Sequence, residues 1–512
     1  MAVYFVDSLM GDNSNSGISP SEALKNFEKI NEMILKAGDK VLLKKGSVFN
    51  DHLTVKGSGS EYDRIEISFY GDDMKRPAIH TDDNSPYSVL ITGEYVTLSG
   101  IEVSNKKGRN GIVLKSALHG ATRGVTVRDC YIHDVWTIND LGPRELRPNS
   151  WPHEAGGISI ETNREEPTWY EELRIEHNTV ENINRTGIWL GGQWNNRFKN
   201  TLKWMANRAD GMDDPWYPHK DVYIAHNLVD HAHGDGIVAV GCVDLLMEYN
   251  RVFHANCMSR NGNSNVALWT MNCTGALVQY NEVAYTGRDF GGDGEAFDID
   301  QCNINNIFQY NYSHDNAGGF ILVCNGCNNK DSLYNNIVRN NLSVNDATRK
   351  DDALFNISGP MRDIYFINNT VYTTHKHRYR LLQICDYMEI GPARDLLFAN
   401  NLFYAEHDNN FNNIEAAGKL TFDHNICWNM HKLPERDNIT DKNIYAENPV
   451  LFFEENVPLT RVEAAVFRPT WFSPLLRNGK HFEQCAPKDM SGIDVSGRNY
   501  IGAFFLKDLN LG

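Results

Sequence analysis

The chain has 512 residues, with 40 Gly, 17 Pro and 10 Cys, and a formal net charge of −17. No basic stripe offsets that charge, so nucleic acid is disfavoured as a partner, because phosphate binding depends on Lys and Arg that release counterions. Long polyanions are repelled unless cations or local Arg and Lys intervene, whereas neutral sugars are not penalised.

The chain opens MAVYFVDS, directly into a strand, with no signal peptide to be read ahead of it. With no apolar run long enough to span a membrane, and cysteines that read as reduced, no membrane association and a cytoplasmic location are expected. The stretch SPSEALKNFEKINEMILKAGD predicts a helix over 20–37. Ser19 is its N-cap, Pro20 its first residue, Glu22 follows three residues after the cap, and Gly38 lies past the end. Such a helix would cap the open apolar end of a solenoid.

From about residue 90 to 430 a phrase recurs: RIEHNTVENI, YIAHNLVDHA, LMEYNRVFHA, LVQYNEVAYT, IFQYNYSHDN, IVRNNLSVND, YFINNTVYTT, LFANNLFYAE. It aligns Asn178, Asn227, Asn250, Asn281, Asn311, Asn341, Asn369 and Asn401, with Asn425 next and Asp129 one unit earlier. The steps run from 23 to 49 residues. A period of this size marks a solenoid. Between the asparagines lie short β-rich runs (GISIE, GIWLG, GIVAVG, GGFILVC), punctuated by Gly, Asn and Asp. The reading is an all-β chain, a right-handed parallel β-helix of roughly ten coils with an N-terminal helical cap, forming one domain over 1–512. Each corner Asn is expected to adopt the left-handed conformation and to bond to the coils above and below. Cys242, Cys273, Cys302 and Cys324 stack as buried packing. The lone Cys324–Cys327 CxxC is not read as a zinc or redox site. After residue 430 the period fades into an irregular segment, 431–512.

The opening VYFVDSLMGDNSNSGISPSEALKNF with AGDKVLLKKGSVF, the AFDID and YNYSHDNAGGF phrases, and the ending SPLLRNG…DVSGRNYIGAF carry a resemblance. They are similar to bacterial right-handed β-helix carbohydrate-active proteins of the pectate-lyase-like superfamily. The resemblance implies a polysaccharide-active enzyme (hydrolase, lyase or epimerase) and assigns no catalytic residue.

Candidate residues come from the repeat itself. Aligning Gly157, Gly187, Gly236, Ala296 and Gly319 makes Ile158, Ile188, Ile237, Phe297 and Phe320 point inward. By strand alternation the outward row then holds Ser159 and Glu161, Trp189 and Gly191, Val238 and Val240, Asp298 and Asp300, and Ile321 and Val323. Asp298 and Asp300 stand at i and i+2 on one face, with Cα atoms ~6.5–7 Å apart, a spacing that suits paired carboxylates in glycosidic cleavage. Asp235 and Glu295, in matching turns, are the assisting carboxylates. The same carboxylates are a calcium-type donor set; no other cofactor is expected. Trp189, Trp269 and Trp194 are the sugar platforms, and His233, His314 and Glu161 are further substrate contacts. Eight of the ten Trp fall between 136 and 269, and two long insertions, 136–155 and 193–218, would wall a pocket. The expectation is an exo-acting glycoside hydrolase on plant- or host-derived oligosaccharides. A lyase or epimerase using Arg260 or Arg288 and a non-catalytic glycan-binding β-helix stay open as alternatives.

Overall fold

The computed structural model describes all residues except 82–84, 117–118, 137–151, 199–215, 258–264, 288–292, 328, 387–388, 408–409, 446, 452–466 and 507–512. It is described in two compact units, Met1–Leu268 and Trp269–Arg288 with Asp293–Gly512. Both are built the same way: short strands pair in parallel with their counterparts in the next coil.

In the first unit the strands Leu53–Val55, Tyr87–Ile91, Asn110–Lys115, Gly156–Glu161, Thr186–Leu190 and Ile237–Val240 form one such ladder. Ile112, Ile158, Ile188 and Ile237 stand in register and are fully buried, so a single β-branched column fills that side of the core. The glycine before each inward Ile is required by close packing at the corner. A Cβ on Gly187 would stand 2.5 Å from a methyl of Val229.

In the second unit Phe297–Ile299, Ile321–Cys324, Ala353–Ser358, Arg380–Cys385 and Asn410–Asn412 form the equivalent ladder. Its core is aromatic: Phe366, Phe398 and Phe422 stack with centroids 4.3 and 4.7 Å apart. The C-terminal segment, irregular as expected, packs Leu475, Ile501, Ala503 and Phe504 against Leu342, Leu402 and Ile426.

The corner asparagines form the ladder that the repeat implied. In the second unit Asn311 accepts from the amide and the side chain of Asn281, and donates to the Val278 carbonyl and to Asn341, each at 3.0 Å. Both donors and both acceptor sites are used, which makes complete burial of the amide affordable. The conformation differs from expectation. The left-handed residue is the one before each Asn: His177, His226 and Tyr249 in the first unit, Tyr280, Tyr310, Asn340, Asn368, Asn400 and His424 in the second. Asp129 is also left-handed, so Cys130 takes the Asn place and donates its amide to Asn178. The Asn itself must stay extended to reach both neighbouring coils.

The predicted helix over 20–37 is corrected. Only a 3-10 turn, Pro20–Glu22, and a five-residue α-helix, Glu28–Glu32, are present, and Ser19 makes no side-chain cap bond. Leu24 bridges in parallel to Val6 and Leu35 to Gly57. The segment behaves as an irregular first coil because Leu24, Phe27 and Ile30 bury more by packing on strands than a free helix would gain.

Candidate active site

The second unit carries the carboxylates. Strand Phe297–Ile299 points Phe297 and Ile299 into the core, and Asp298 to the other face. The register runs Phe297–Ile321, Asp298–Leu322 and Ile299–Val323. The outward residues of the next coil are therefore Leu322 and Cys324, not Ile321 and Val323. The turn before that strand is one residue longer than the Gly alignment allowed, and a one-residue slip exchanges the two faces. Continuing the ladder, Asn356 and Gln383 follow Leu322, and Ser358 and Cys385 follow Cys324.

Asp298 is buried, at 5 % exposure, rather than open to solvent. Asp300 lies just past the strand end and is half-buried. Its carboxylate accepts the Gln301 amide at 2.8 Å, and its own amide donates to the Thr270 carbonyl at 2.9 Å. That backbone bond sets Trp269, 5 % exposed, on the rung next to Asp298. Glu295 runs along the same face, where Asn356 donates to it at 3.2 Å, and Ser358 donates in turn to Asn356 at 3.5 Å.

Asp293 belongs with these residues although the repeat did not single it out. Burial, then the charges of Asp300, Asp298 and Asp293, push the Cys324 thiol well above its ordinary value, so the field of all three carboxylates reaches this one side chain. Asp293 has φ 67° and precedes Gly294 at φ 97°. This turn is held in a conformation that ordinary residues avoid. The GGDG sequence was the available signal.

His314 lies on another strand of the coil. It ends the strand Tyr312–His314, which pairs with Glu282–Ala284 and Leu342–Val344 in the other sheet of the coil. Its Nδ1 meets Asp315 at 2.9 Å and its ring stacks on Tyr312 at 4.6 Å. Burial opposes its charge, but Asp315 and Glu282 outweigh it and raise the imidazole to about 9. It holds an ion pair on a different face from Asp298. In the CxxC pair, Cys327 faces Cys302, Sγ to Sγ 2.9 Å.

The first unit holds Asp235 in a buried network. Its carboxylate meets His153 Nδ1 at 2.6 Å and Arg185 at 3.4 Å, and accepts the Val266 amide at 3.1 Å. Arg185 also reaches Asn265 and His153. Asp235 is 0 % exposed and ties the turn before strand Ile237–Val240 to His153 and Arg185. One face of Trp189 is covered: His153 stacks on its ring, 5.6 Å between centroids and 15° between planes. Trp194 is buried and donates to the Asn163 carbonyl at 3.0 Å; it packs its loop instead of offering a platform. His233 is buried in its turn, with the edge of Trp136 5.3 Å away. Glu161 ends strand Gly156–Glu161 half-buried, with the Ser159 hydroxyl at 3.4 Å. The parts of the two insertions expected to wall a pocket, with Trp151 and Trp204, lie mostly outside the described residues, as do Arg260 and Arg288.

These features define a right-handed parallel β-helix protein with a carboxylate-bearing outer strip. A right handed beta helix region profile matches residues 156–343. Among curated proteins, a lacto-N-biosidase of Bifidobacterium longum subsp. longum is 28 % identical over 453 residues, covering 72 % of this chain and 27 % of that protein. The chain thus spans about a quarter of the curated relative's length. Among solved structures, a GH136 lacto-N-biosidase from Eubacterium ramulus superposes with TM-score 0.60 at 24 % identity, covering 80 % of this chain and 68 % of that one. XylC in complex with xylose gives TM-score 0.51 at 11 % identity over 99 % and 98 %. These likenesses carry the fold.

Proposed function

We propose that the protein is an exo-acting glycoside hydrolase that acts on oligosaccharides through the Asp293, Asp298 and Asp300 carboxylates. The observation that carries this reading is the pairing of Asp298 and Asp300 on one strip, beside Trp269. The Gln301 amide favours the ionised form of Asp300, which suits a nucleophile or base. Asp298, between Trp269 and Leu322, and Asp293, in the strained turn, are the two groups from which the proton donor is drawn. Glu295 and Asn356 orient the substrate or the acid. The curated relative and the Eubacterium ramulus protein support this reading by name, and lacto-N-biosides are the first substrates to try.

The test is release of nitrophenol from a lacto-N-bioside and a panel of other nitrophenyl glycosides, alongside uronate oligomers. Turnover of a nitrophenyl glycoside, abolished in Asp300→Asn, is expected. An ultraviolet-absorbing unsaturated product from the uronates, with no glycoside turned over, would replace the hydrolase by a lyase.

A further inference from the structure

The geometry points to a transition-metal site in the first unit, formed by His80, Glu102 and His133 and suited to zinc. The three residues lie on strands Ala78–Thr81, Glu102–Asn105 and Tyr131–Val135, which are consecutive rungs of one parallel ladder. His80, Ser104 and His133 are in register, so the two imidazoles flank a small side chain. Glu102, two residues before Ser104 and on the same face, fills the gap. Its Oε1 lies 3.1 Å from His80 Nε2 and 3.1 Å from His133 Nε2. All three donor atoms fall within 4.8 Å of one another. Tetrahedral zinc with bonds of ~2.0–2.1 Å sets neighbouring donors ~3.3–3.4 Å apart, so a small contraction or expansion of this triangle admits the ion.

The surroundings orient the ligands as metal sites do. His133 Nδ1 faces Asp134 Oδ2 at 3.0 Å, and Asp134 is itself held by Asn182 and Trp136. The His133 ring stacks on Tyr131, 4.5 Å between centroids and 20° between planes. A carboxylate on Nδ1 fixes the tautomer that leaves Nε2 free to bind a metal. Both nitrogens of His133 face carboxylate oxygens, an arrangement met either by an imidazolium that donates to both or by a neutral ring with a cation between Nε2 and Glu102. Side-chain exposures of 36, 28 and 17 % for His80, Glu102 and His133 leave an open side for a water as fourth ligand. Two imidazoles and one carboxylate favour zinc or a similar first-row ion over calcium, which takes oxygen donors. Bound there, the ion would clip three coils together.

The experiment uses the full chain, free of any affinity tag and stripped with EDTA, titrated with zinc by calorimetry. One ion per chain at micromolar affinity or tighter is expected, with a rise of several degrees in melting temperature. Glu102→Gln and His80→Ala should each weaken binding at least ~10-fold, and Asp134→Asn should weaken it by a similar or smaller factor. His254→Ala tests the other His–carboxylate group, Asp230, His231 and His254, and should leave the high-affinity ion in place. Anomalous scattering at the zinc edge should place the ion between His80 and His133. No zinc uptake by the parent chain, or unchanged uptake by Glu102→Gln and His80→Ala, overturns the proposal.

Discussion

His153 and Asp235 meet at 2.6 Å in the interior of the first unit, with Arg185 touching both. Burial and the Arg185 charge hold the imidazole below its ordinary value, against the pull of Asp235. The triad is therefore a neutral His with a buried ion pair. Removing one partner of such a pair leaves a stranded charge, at a cost of about 3–5 kcal/mol. Asp235→Ala should lower stability by that amount in denaturant unfolding. The Arg185→Met, Asp235→Leu double variant should recover much of the loss. Equal stability of Asp235→Ala and the parent would remove Asp235 from any structural role.

The pH profile of stability should fall on both sides, for opposite reasons. His219 is buried, its Nδ1 accepts the Tyr170 amide at 3.0 Å, and burial lowers it to about 4. Its neutral form stabilises the fold above pH 6.5, and that contribution is lost as pH falls from 6.5 towards 4, because the unfolded chain binds a proton that the folded one does not. His314, raised to about 9, works the other way: its contribution is complete below pH 6.5 and is lost as pH rises through 9. Each is worth at most ~3 kcal/mol at ~1.4 kcal/mol per pH unit. His219→Gln should flatten the acid limb and His314→Gln the alkaline limb in unfolding curves collected from pH 4 to 10.

Asp300→Asn should reduce kcat at least ~100-fold with an unchanged melting temperature, as lost carboxylate chemistry does. Asp298→Asn and Asp293→Asn separate the proton donor from its neighbour. The donor variant should keep activity on substrates with a good leaving group such as nitrophenol, while losing it on natural oligosaccharides. A variant that melts early yet retains its specific activity identifies a structural aspartate.

Asn311→Ala should destabilise the second unit by ~2–4 kcal/mol, since it strands an amide and a side-chain amide of Asn281 and leaves Asn341 without one donor. The same change at Asn425 strands the amide and side-chain amide of Asn401 but faces the half-buried Asn443 on its other side, where water can replace the lost donor, and should cost less. Parallel denaturant titrations of the two variants decide this.

The Asn period was enough to read the fold, because one buried amide per coil leaves an unmistakable spacing. The helix over 20–37 misled because cap, Pro and Gly signals are local, whereas Leu24 and Leu35 answer to strands distant in sequence. Asp298 and Asp300 were legible as two carboxylates in a strand context that disfavours them. Asp293 was not, since a turn aspartate is ordinary in sequence and only its charge acting on Cys324 beside those of Asp298 and Asp300 sets it apart. Trp189 was placed on the correct rung beside Ser159, but nothing local showed that His153, some 36 residues earlier, would lie on its ring.

The asparagine ladder also sets the grain of change in this lineage. Excising Asn311 through Asn340, the 30-residue span to Asn341, would bring Asn281 against Asn341 with every amide again matched. Losing part of the segment that carries Asn311, with the rest of the coil kept, would leave two amides facing the wrong groups. Descendants of such a chain can therefore lengthen or shorten only by whole coils, while loops at the corners vary without that restriction. The groove outside can be re-lettered residue by residue, but its length is inherited in integers.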